Sequence, residues 1–390
     1  MIDKEKIPLW RDSRFLKTLF QVFIVLIIGL TILTLGNNLI NNFKRLGLNF
    51  GLFFLIDSDR TASFSISDSL IPYSSTDSYG RAILVGLLNS LRVMISGIIL
   101  AFIVGITVGL GRISDNWLVR KMASIYVETL RNTPLLLQLF FWYFAVFLKF
   151  PKIYEPGSFW GLIFFSNQGI YLPRPLGNLQ TFLVLVFIVF NSFLAGLVWR
   201  KRNQIIVKFG KKERTYQGLL LGILILVSLT FIFGINWQLP RYNSDINLIQ
   251  GGLNLSPEFT TLLLGLTFYT AAFIAEIVRS GIQSVSTGQW EAAKALGFNP
   301  SLVMRLVIFP QALRVMIPPL TSEFLNLAKN SSLAVAIGYN DIYAVANTVS
   351  NQTGKAVEML LVVMVTYLVF NLIISTAMNR LNATVRLKER

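Results

Sequence analysis

Residues 289–310 read QWEAAKALGFNPSLVMRLVIFP, a polar stretch near the C-terminal end of a chain that is otherwise strongly apolar. Ser286 and Gln289 fit a capping box, and Gly297 stands where a left-handed residue ends a helix. Asn299 followed by Pro300 is typical of an N-cap with proline in the first helical turn. The stretch therefore predicts a helix, a sharp turn and a second helix.

Long apolar stretches dominate the rest of the chain. Of its 390 residues, 54% are hydrophobic and 14% are charged, and the mean hydropathy is +0.61. Soluble domains carry roughly 25% charged residues, and about 20 apolar residues cross a bilayer as a helix. Seven stretches meet that length, namely 16–36, 82–110, 131–150, 179–199, 216–235, 259–280 and 356–378. An eighth, 309–337, is interrupted by prolines and polar residues. We therefore predict an all-α polytopic membrane protein with about eight transmembrane helices.

The basic residues are distributed unevenly between these spans. With the N-terminus inside and eight crossings, the inner segments hold more than twice as many Lys and Arg residues as the outer segments. This bias predicts that both termini are cytoplasmic. The net charge of +16 then reflects topology, and the basic cluster at 200–214 is expected to lie near anionic membrane lipid. No nucleic-acid partner is expected.

The chain contains neither cysteine nor histidine. Their absence excludes thiol nucleophiles, disulfides, histidine general bases and the common zinc sites. No stretch matches G-x-x-x-x-G-K-[ST], the loop whose backbone amides cradle nucleotide phosphates. We therefore expect no ATPase site, metal or cofactor within this chain.

Five residues of the polar stretch form a spaced motif. Glu291, Ala292 and Ala293 are followed after three residues by Gly297, and nine residues later by a segment that ends at Pro310. The motif resembles the EAA loop of ABC importer permeases, E-A-A-x3-G-x9-I-x-L-P, with Val and Phe replacing the usual Ile and Leu. The chain also resembles the polar amino-acid uptake (histidine permease) family at RNTPLLLQLFFWY (131–143), NSLRV (89–93), FIAEIVRSGIQS (273–284) and PPLTSEFLNLAKNSSLAVAIGY (318–339). Its two further spans resemble the longer general L-amino-acid permeases.

The resemblance implies a type I-like ABC importer permease core rather than an enzyme. The loop at 286–310 would be a coupling helix seated in a cytoplasmic ABC ATPase dimer, which binds and hydrolyses ATP. Further implied partners are a homologous second permease, in a heterodimer, and a periplasmic amino-acid-binding protein. The chain would carry L-amino acids across the bacterial inner membrane by alternating access.

Four regions follow from the spans and the resemblance. Residues 1–79 are predicted to form an N-terminal anchor helix and a periplasmic segment, and 80–150 the first part of the permease core. Residues 151–256 form an insert with two extra transmembrane helices, and 257–390 the second part of the core. Four prolines between 151 and 178 exclude a long helix there.

The interrupted eighth span carries the candidate substrate site. Glu323 and Asn330 are seven residues apart and share a helix face. Glu323 is a candidate partner for an α-ammonium, and Asn330 and Ser331 for an α-carboxylate. A structural role for Glu323, as an interhelical bonding group, remains equally open. Gln138 and Tyr143 are further candidates because they are polar within an apolar span.

Two proline-containing stretches are candidate hinges. Arg131 and Pro134 begin the third span near its cytoplasmic end, where a break in the helix is expected to permit movement. Pro318 and Pro319 are expected to weaken the eighth span and free backbone carbonyls.

Two other classes remain to be distinguished. An ion-coupled secondary transporter would use embedded carboxylates such as Glu276, Glu323 and Glu358, but no internal repeat is visible. A membrane hydrolase would pair Lys329 with Ser331 or Ser332, although adjacent helical positions point in different directions.

Overall fold

The computed structural model of the protein describes residues 13–45, 50–57, 61–209 and 214–385. Helices account for most of these residues. In chain order, α1 to α12 cover Ser13–Arg45, Tyr79–Arg112, Trp117–Arg131, Leu135–Phe140, Leu179–Phe209, Arg214–Leu229, Pro257–Gln283, Thr287–Ala295, Pro300–Leu302, Phe309–Asn330, Ile342–Thr353 and Ala356–Val385. Both chain termini, predicted to be cytoplasmic, and residues 210–213 of the basic cluster lie outside the described residues.

Seven helical stretches in the described part of the chain are long and apolar enough to cross a membrane. They are Phe15–Arg45, Tyr79–Arg112, Leu179–Arg202, Thr215–Gly234, Pro257–Gln283, Pro300–Ile337 and Ala356–Val385. A shorter apolar stretch, Leu135–Lys149, accounts for the remaining predicted span. The prediction of a helical, multi-pass membrane protein is confirmed.

α2 and α7 form the closest helix pair of the bundle. Gly105 and Gly109 on α2 face Ile274 and Val278 on α7, and a Cβ atom on Gly109 would lie 2.7 Å from that of Val278. Small residues four positions apart let helix backbones approach closely within a bilayer. The buried face of this pair joins α4 and α10 in one apolar core. The remaining core helices are therefore positioned around α2 and α7.

Short antiparallel strands lie on both sides of the α5–α6 hairpin. β1 to β8 cover Gly157–Phe159, Ile163–Ser166, Gly169–Leu172, Arg174–Pro175, Trp237–Gln238, Arg241–Asn243, Leu248–Gln250 and Leu253–Leu255. They form a four-stranded sheet, β1-β2-β3-β8, and two pairs, β4-β5 and β6-β7. The absence of a long helix from 151–178 agrees with the prolines. The strands were not predicted, because β3-β8 and β4-β5 pair across the hairpin and each strand is very short.

The segment before α2 packs onto the same end of the bundle as the strands. Phe54 and Ala62 join an apolar cluster with α2, α11 and α12. The Asp68 carboxylate accepts hydrogen bonds from Arg92 Nη1 at 2.7 Å and from Ser256 Oγ at 2.9 Å. Because Ser256 is the N-cap of α7, Asp68 ties α2 to the start of α7. We call this end of the bundle the sheet end, and the opposite end, which carries 286–310, the loop end.

Candidate functional site

The loop at 286–310 folds into the helix, turn and helix that its sequence predicts. α8 ends at Ala295, and Gly297 adopts a left-handed φ of +77°. The Phe298 amide donates to the Ala293 carbonyl at 3.2 Å, which closes the turn. Asn299 then caps α9, since its side chain accepts from the Leu302 amide at 3.0 Å.

The start of α8 differs from the predicted capping box. Ser286 occupies the N-cap position, but its side chain makes no capping hydrogen bond. The Gln289 side chain instead accepts a hydrogen bond from Gln311 Nε2 at 3.2 Å. Gln289 therefore links α8 directly to α10, the helix that carries Glu323 and Asn330.

α8 turns one face towards its own chain and the other away from it. Ala293 is buried and Trp290 is half-buried against the core. Glu291, Ala292 and Ala295 are exposed. Ala293, one of the motif residues, therefore faces its own chain, because the helical period places it on the side of α8 opposite Ala295.

Leu296 is the largest apolar group on the outward side of the loop. Its side chain is 73% exposed, directly before the left-handed Gly297. The sequence analysis did not select it, since leucine carries no polar signal. With Ala292, Ala295 and Glu291 it forms an outward surface of small residues, one acid and one apolar projection, which we call the docking surface.

Beyond the loop, the chain passes into α10 through a wide helical turn. Residues Val303–Ile308 are π-helical, and Pro310 lies in the first turn of α10. The Arg305 guanidinium lies 5.0 Å from the centre of the Trp199 ring on α5. The insert hairpin therefore contacts the segment that joins the docking surface to α10.

Gln138 has a structural position at the break between α3 and α4. Its Nε2 donates to the Leu130 carbonyl at 2.9 Å and to the Thr133 carbonyl at 3.0 Å. Pro134 has no amide hydrogen, so the Leu130 carbonyl would otherwise lack its helical partner. Gln138 thus stabilises the break, and the structure does not place it as a substrate ligand.

The break lies deeper in the bundle than the sequence analysis placed it. Tyr126, on the loop-end side of the break, donates to the Phe268 carbonyl at 2.8 Å. Leu139, on its other side, contacts Gly265. Both contacts are in the middle of α7, so Pro134 lies beside the centre of the bundle. The sequence analysis missed this because it began the third span at residue 131 and left out α3, which precedes the break.

A charged and aromatic cluster lies beside this break. The Arg131 guanidinium lies over the Phe273 ring, 5.1 Å from its centre. Glu323 on α10 is half-buried within electrostatic range of Arg131 and of Tyr269, and the Asn326 side chain is within its reach. Ionisable groups at membrane depth are costly and mark pathways or internal pairs. We call Arg131, Glu323, Asn326, Tyr269 and Phe273 the central cluster.

A second group of charges lies nearer the loop end. Glu276 forms ion pairs with Arg112 of α2 and with Arg279 one turn further along α7. Glu276 is also within electrostatic range of Arg131. These charges connect the central cluster to the loop ends of α2 and α7.

Pro318 and Pro319 do not interrupt their helix. α10 continues through both, from Phe309 to Asn330, and both prolines are exposed. The chain tightens only beyond Asn330, where Ser331–Ile337 is a 3-10 helix. The expected break at the prolines is therefore not seen, although neither proline has an amide hydrogen to donate to the Arg314 and Val315 carbonyls one turn earlier.

The other predicted substrate residues lie away from Glu323. Asn330 and Ser331 stand at the far end of α10, and the buried Ser331 hydroxyl donates to the Ala328 carbonyl at 2.8 Å. The Tyr143 hydroxyl donates to Glu258 Oε1 at 2.8 Å, at the sheet-end start of α7. Of the predicted substrate residues, Glu323 lies within electrostatic range of the hinge residue Arg131, and Gln138 lies at the break beside Pro134.

Tyr269 and Phe273 are members of the central cluster that the sequence analysis missed. Phe273 opens the stretch FIAEIVRSGIQS, whose resemblance was noted without assigning it a role. The i, i+4 spacing of the two aromatics places them on one face of α7, and their rings lie 5.0 Å apart. That spacing is the signal that was available.

The long apolar helices, together with the loop at 286–310, indicate a membrane transport subunit. Residues 97–387 match the family described as "Binding-protein-dependent transport system inner membrane component". The chain belongs to this family of multi-pass ABC permease subunits, as the EAA motif indicates.

Three relatives are similar over nearly the whole chain. The chain is 43% identical to the "Putative amino-acid ABC transporter permease protein YhdX" of Escherichia coli (strain K12), over 95% of this chain and 94% of that one. It is 39% identical to the "General L-amino acid transport system permease protein AapQ" of Rhizobium johnstonii, over 97% and 94%. It is 38% identical to the "Glutamate/glutamine/aspartate/asparagine transport system permease protein BztB" of Rhodobacter capsulatus, over 97% and 96%.

Proposed function

We propose that this chain is the permease subunit of an ATP-driven importer of L-amino acids. The observation that carries the proposal is the exposed docking surface, linked through Gln289 and Gln311 to the helix that holds Glu323. The names of the three relatives support amino acids as the substrate class. ATP would be bound and hydrolysed by a separate subunit, in agreement with the absence of a phosphate-binding loop from the sequence.

The proposed assembly places the loop end in the cytoplasm. This orientation follows the distribution of Lys and Arg, and it puts both termini on the cytoplasmic side. A cytoplasmic ABC ATPase dimer would cover the docking surface. A homologous second permease would complete the translocation path, and a periplasmic amino-acid-binding protein would deliver substrate to the sheet end.

The central cluster offers opposite charges to a zwitterion. The Arg131 guanidinium is suited to an α-carboxylate, and the Glu323 carboxylate to an α-ammonium. Phe273 and Tyr269 provide apolar surface beside them. Because Arg131 adjoins the helix break and Glu323 belongs to α10, a movement of α10 relative to α3 would change the distance between the two charges.

Substitution of Glu323 tests this assignment. In the assembled transporter, Glu323→Gln should lower the uptake kcat/KM about 10- to 100-fold, because a hydrogen bond to a charged group contributes about 1.5–3 kcal/mol. ATPase assembly should be unchanged. Glu155→Gln, an exposed carboxylate outside the core, is the matched control. Loss of assembly in Glu323→Gln would instead indicate an interhelical structural role.

The alternative classes lack structural support. Glu276 is paired with two arginines, and Glu358 with Lys355 at 3.2 Å, so neither resembles a carboxylate poised for ion coupling. The Ser332 hydroxyl donates to the Lys329 carbonyl at 2.8 Å, rather than to the lysine amine, which does not favour a hydrolase. Uptake by the reconstituted chain on an ion gradient alone, without an ATPase subunit, would overturn the proposed function.

A further inference from the structure

Two guanidinium groups from separate parts of the chain lie against the ring of Trp199. The Arg202 guanidinium lies 5.4 Å from the ring centre, and the Arg305 guanidinium lies 5.0 Å from it. Both distances are within the range of cation–π attraction. Arg202 belongs to α5, whereas Arg305 belongs to the π-helical segment Val303–Ile308, whose two end residues are buried. Trp199 therefore holds a charge of the insert hairpin beside a charge of the segment that leads into α10.

The positive charge around this ring is not balanced by nearby acids. Arg200 and Lys201 are exposed directly before Arg202. In the part of the chain that the structure describes, no Asp or Glu forms an ion pair with these three residues or with Arg305. Like charges this close repel one another. An anion bound here would offset that repulsion, and phosphate oxygens accept strong hydrogen bonds from guanidinium groups.

The depth of Trp199 places these charges at the level of the lipid headgroups. The apolar stretch 179–198 has about 20 residues, the length that crosses the hydrocarbon core as a helix. Few residues of this helix are buried within the chain, as expected for a helix that faces lipid. Trp199 follows the stretch directly and is 47% exposed, as is typical of tryptophan at a membrane surface.

The surface beside Trp199 leaves room for an acyl chain. Gly196 lies three residues earlier, on the same side of α5, and a Cβ atom on it would meet nothing within 4 Å. A headgroup at the two guanidinium groups can therefore continue into the bilayer along the apolar surface of α5. Charge, depth and open apolar surface together match an anionic phospholipid.

We propose that an anionic phospholipid of the leaflet at the loop end binds at Trp199. Its phosphate contacts the Arg202 and Arg305 guanidinium groups, and an acyl chain lies against α5 at Gly196. The bound headgroup ties the insert hairpin to the segment that joins the docking surface to α10. Binding of this lipid does not depend on the proposed transport function.

Lipid retention by the purified transporter complex, measured by native mass spectrometry, tests the site. The unsubstituted complex should retain phosphatidylglycerol in preference to phosphatidylcholine. Arg305→Gln should lower the retention of phosphatidylglycerol about fivefold, since a basic residue at the membrane surface contributes about 1 kcal/mol. Lys121→Gln, an exposed basic residue of α3, is the matched control and should retain the lipid. Equal retention of the two lipids by the unsubstituted complex, or equal losses in the two variants, would overturn the proposal.

Substitution of the ring distinguishes an organised site from surface charge alone. Trp199→Leu removes no charge but releases both guanidinium groups. It should lower the retention of phosphatidylglycerol about two- to fivefold, because an exposed cation–π contact contributes about 0.5–1 kcal/mol. Trp117→Leu, at the start of α3, replaces a tryptophan that is 67% exposed and should leave retention unchanged. Unchanged retention in Trp199→Leu would contradict the proposal.

Two further measurements identify the anion and the connection it makes. Inorganic phosphate in excess should not displace phosphatidylglycerol, and displacement would show an anion site without a lipid. Loss of the ATPase subunit from the Arg305→Gln complex, with lipid retention unchanged, would assign these charges to that subunit and overturn the proposal. In nanodiscs, amide exchange of residues 303–308 should be slower in phosphatidylglycerol than in phosphatidylcholine, and the difference should disappear in Trp199→Leu. Equal exchange in both lipids would contradict the connection.

Discussion

Removing the apolar projection of the docking surface should weaken its complex with the ATPase subunit. Leu296 is 73% exposed in the isolated chain, so most of its side chain is available to be covered by a partner. Complete burial of a leucine side chain contributes about 1.5–3 kcal/mol, so burial of this exposed fraction contributes about 1–2 kcal/mol. Leu296→Ala should therefore raise the Kd for the ATPase subunit about 5- to 30-fold.

The assay is a titration of the purified ATPase subunit onto permease complex reconstituted in nanodiscs. Leu118→Ala is the matched control, because Leu118 is 57% exposed at the loop end but lies at the start of α3, outside the docking surface. Its Kd should equal that of the unsubstituted complex. The reasoning fails if Leu296→Ala binds as tightly as the unsubstituted complex, or if Leu118→Ala weakens binding to the same extent.

Three further predictions concern the glycines and one buried acid. Gly297→Ala should destabilise the loop by about 1 kcal/mol, because a left-handed φ of +77° is strained for alanine. Gly288→Ala, in α8 and facing open space, should be neutral or stabilising. Hydrogen exchange of the loop amides distinguishes the two variants. Gly109→Ala should push α2 away from α7 at a cost of about 1–3 kcal/mol, and so lower the Tm measured in detergent. Gly97→Ala is the control, because its Cβ would meet only Leu327 atoms at 3.5 Å or more. It should leave the Tm unchanged. Asp341 is the N-cap of α11, between the last two spans, and burial raises its pKa from 3.8 to about 7. Between these two pH values the folded protein holds a proton that the unfolded chain has lost. The free energy of unfolding should therefore fall as the pH rises from about 4 to 7. Asp341→Asn keeps a capping oxygen and should remove that fall, and a Tm that declines equally in both proteins over this range would contradict it.

The loop and the membrane spans were predictable because their signals are local. Gly297 and the Asn299–Pro300 pair specify the turn from neighbouring residues alone, and an apolar run of sufficient length specifies a span in any context. The motif also located the docking surface. It did not separate Ala293, which is buried, from Ala295, since that distinction depends on which side of α8 the core occupies.

The central cluster was only half predictable. Glu323 was selected because a carboxylate within a span is unusual. Asn326 lies nearby on the same helix, but Arg131 and Tyr269 come from α3 and α7, far along the chain. Which of the remaining polar residues join it depends on tertiary packing. Gln138 was also selected because it is polar within a span. Its side chain instead donates to backbone carbonyls at the break beside Pro134. The polarity of a residue does not by itself distinguish this structural role from ligand binding.

We propose that work done at the docking surface reaches the central cluster through α8 and α10. α8 is joined to α10 by Gln289 and Gln311, and α10 carries Glu323. Arg305, in the π-helical segment just before α10, also contacts Trp199 of the insert hairpin. A displacement of α8 would therefore move α10 against the broken helix that carries Arg131.

A single-cysteine crosslink tests this coupling most directly, because the chain contains no cysteine of its own. Ala295→Cys, on the exposed side of α8, should form a reversible crosslink to the ATPase subunit in an active complex. That crosslink should stop both uptake and ATP hydrolysis, and reduction should restore them. Ala293→Cys, on the buried side, should not form it. An active complex in which residue 295 never reaches the ATPase subunit, or in which crosslinked transporters continue uptake, would contradict the account.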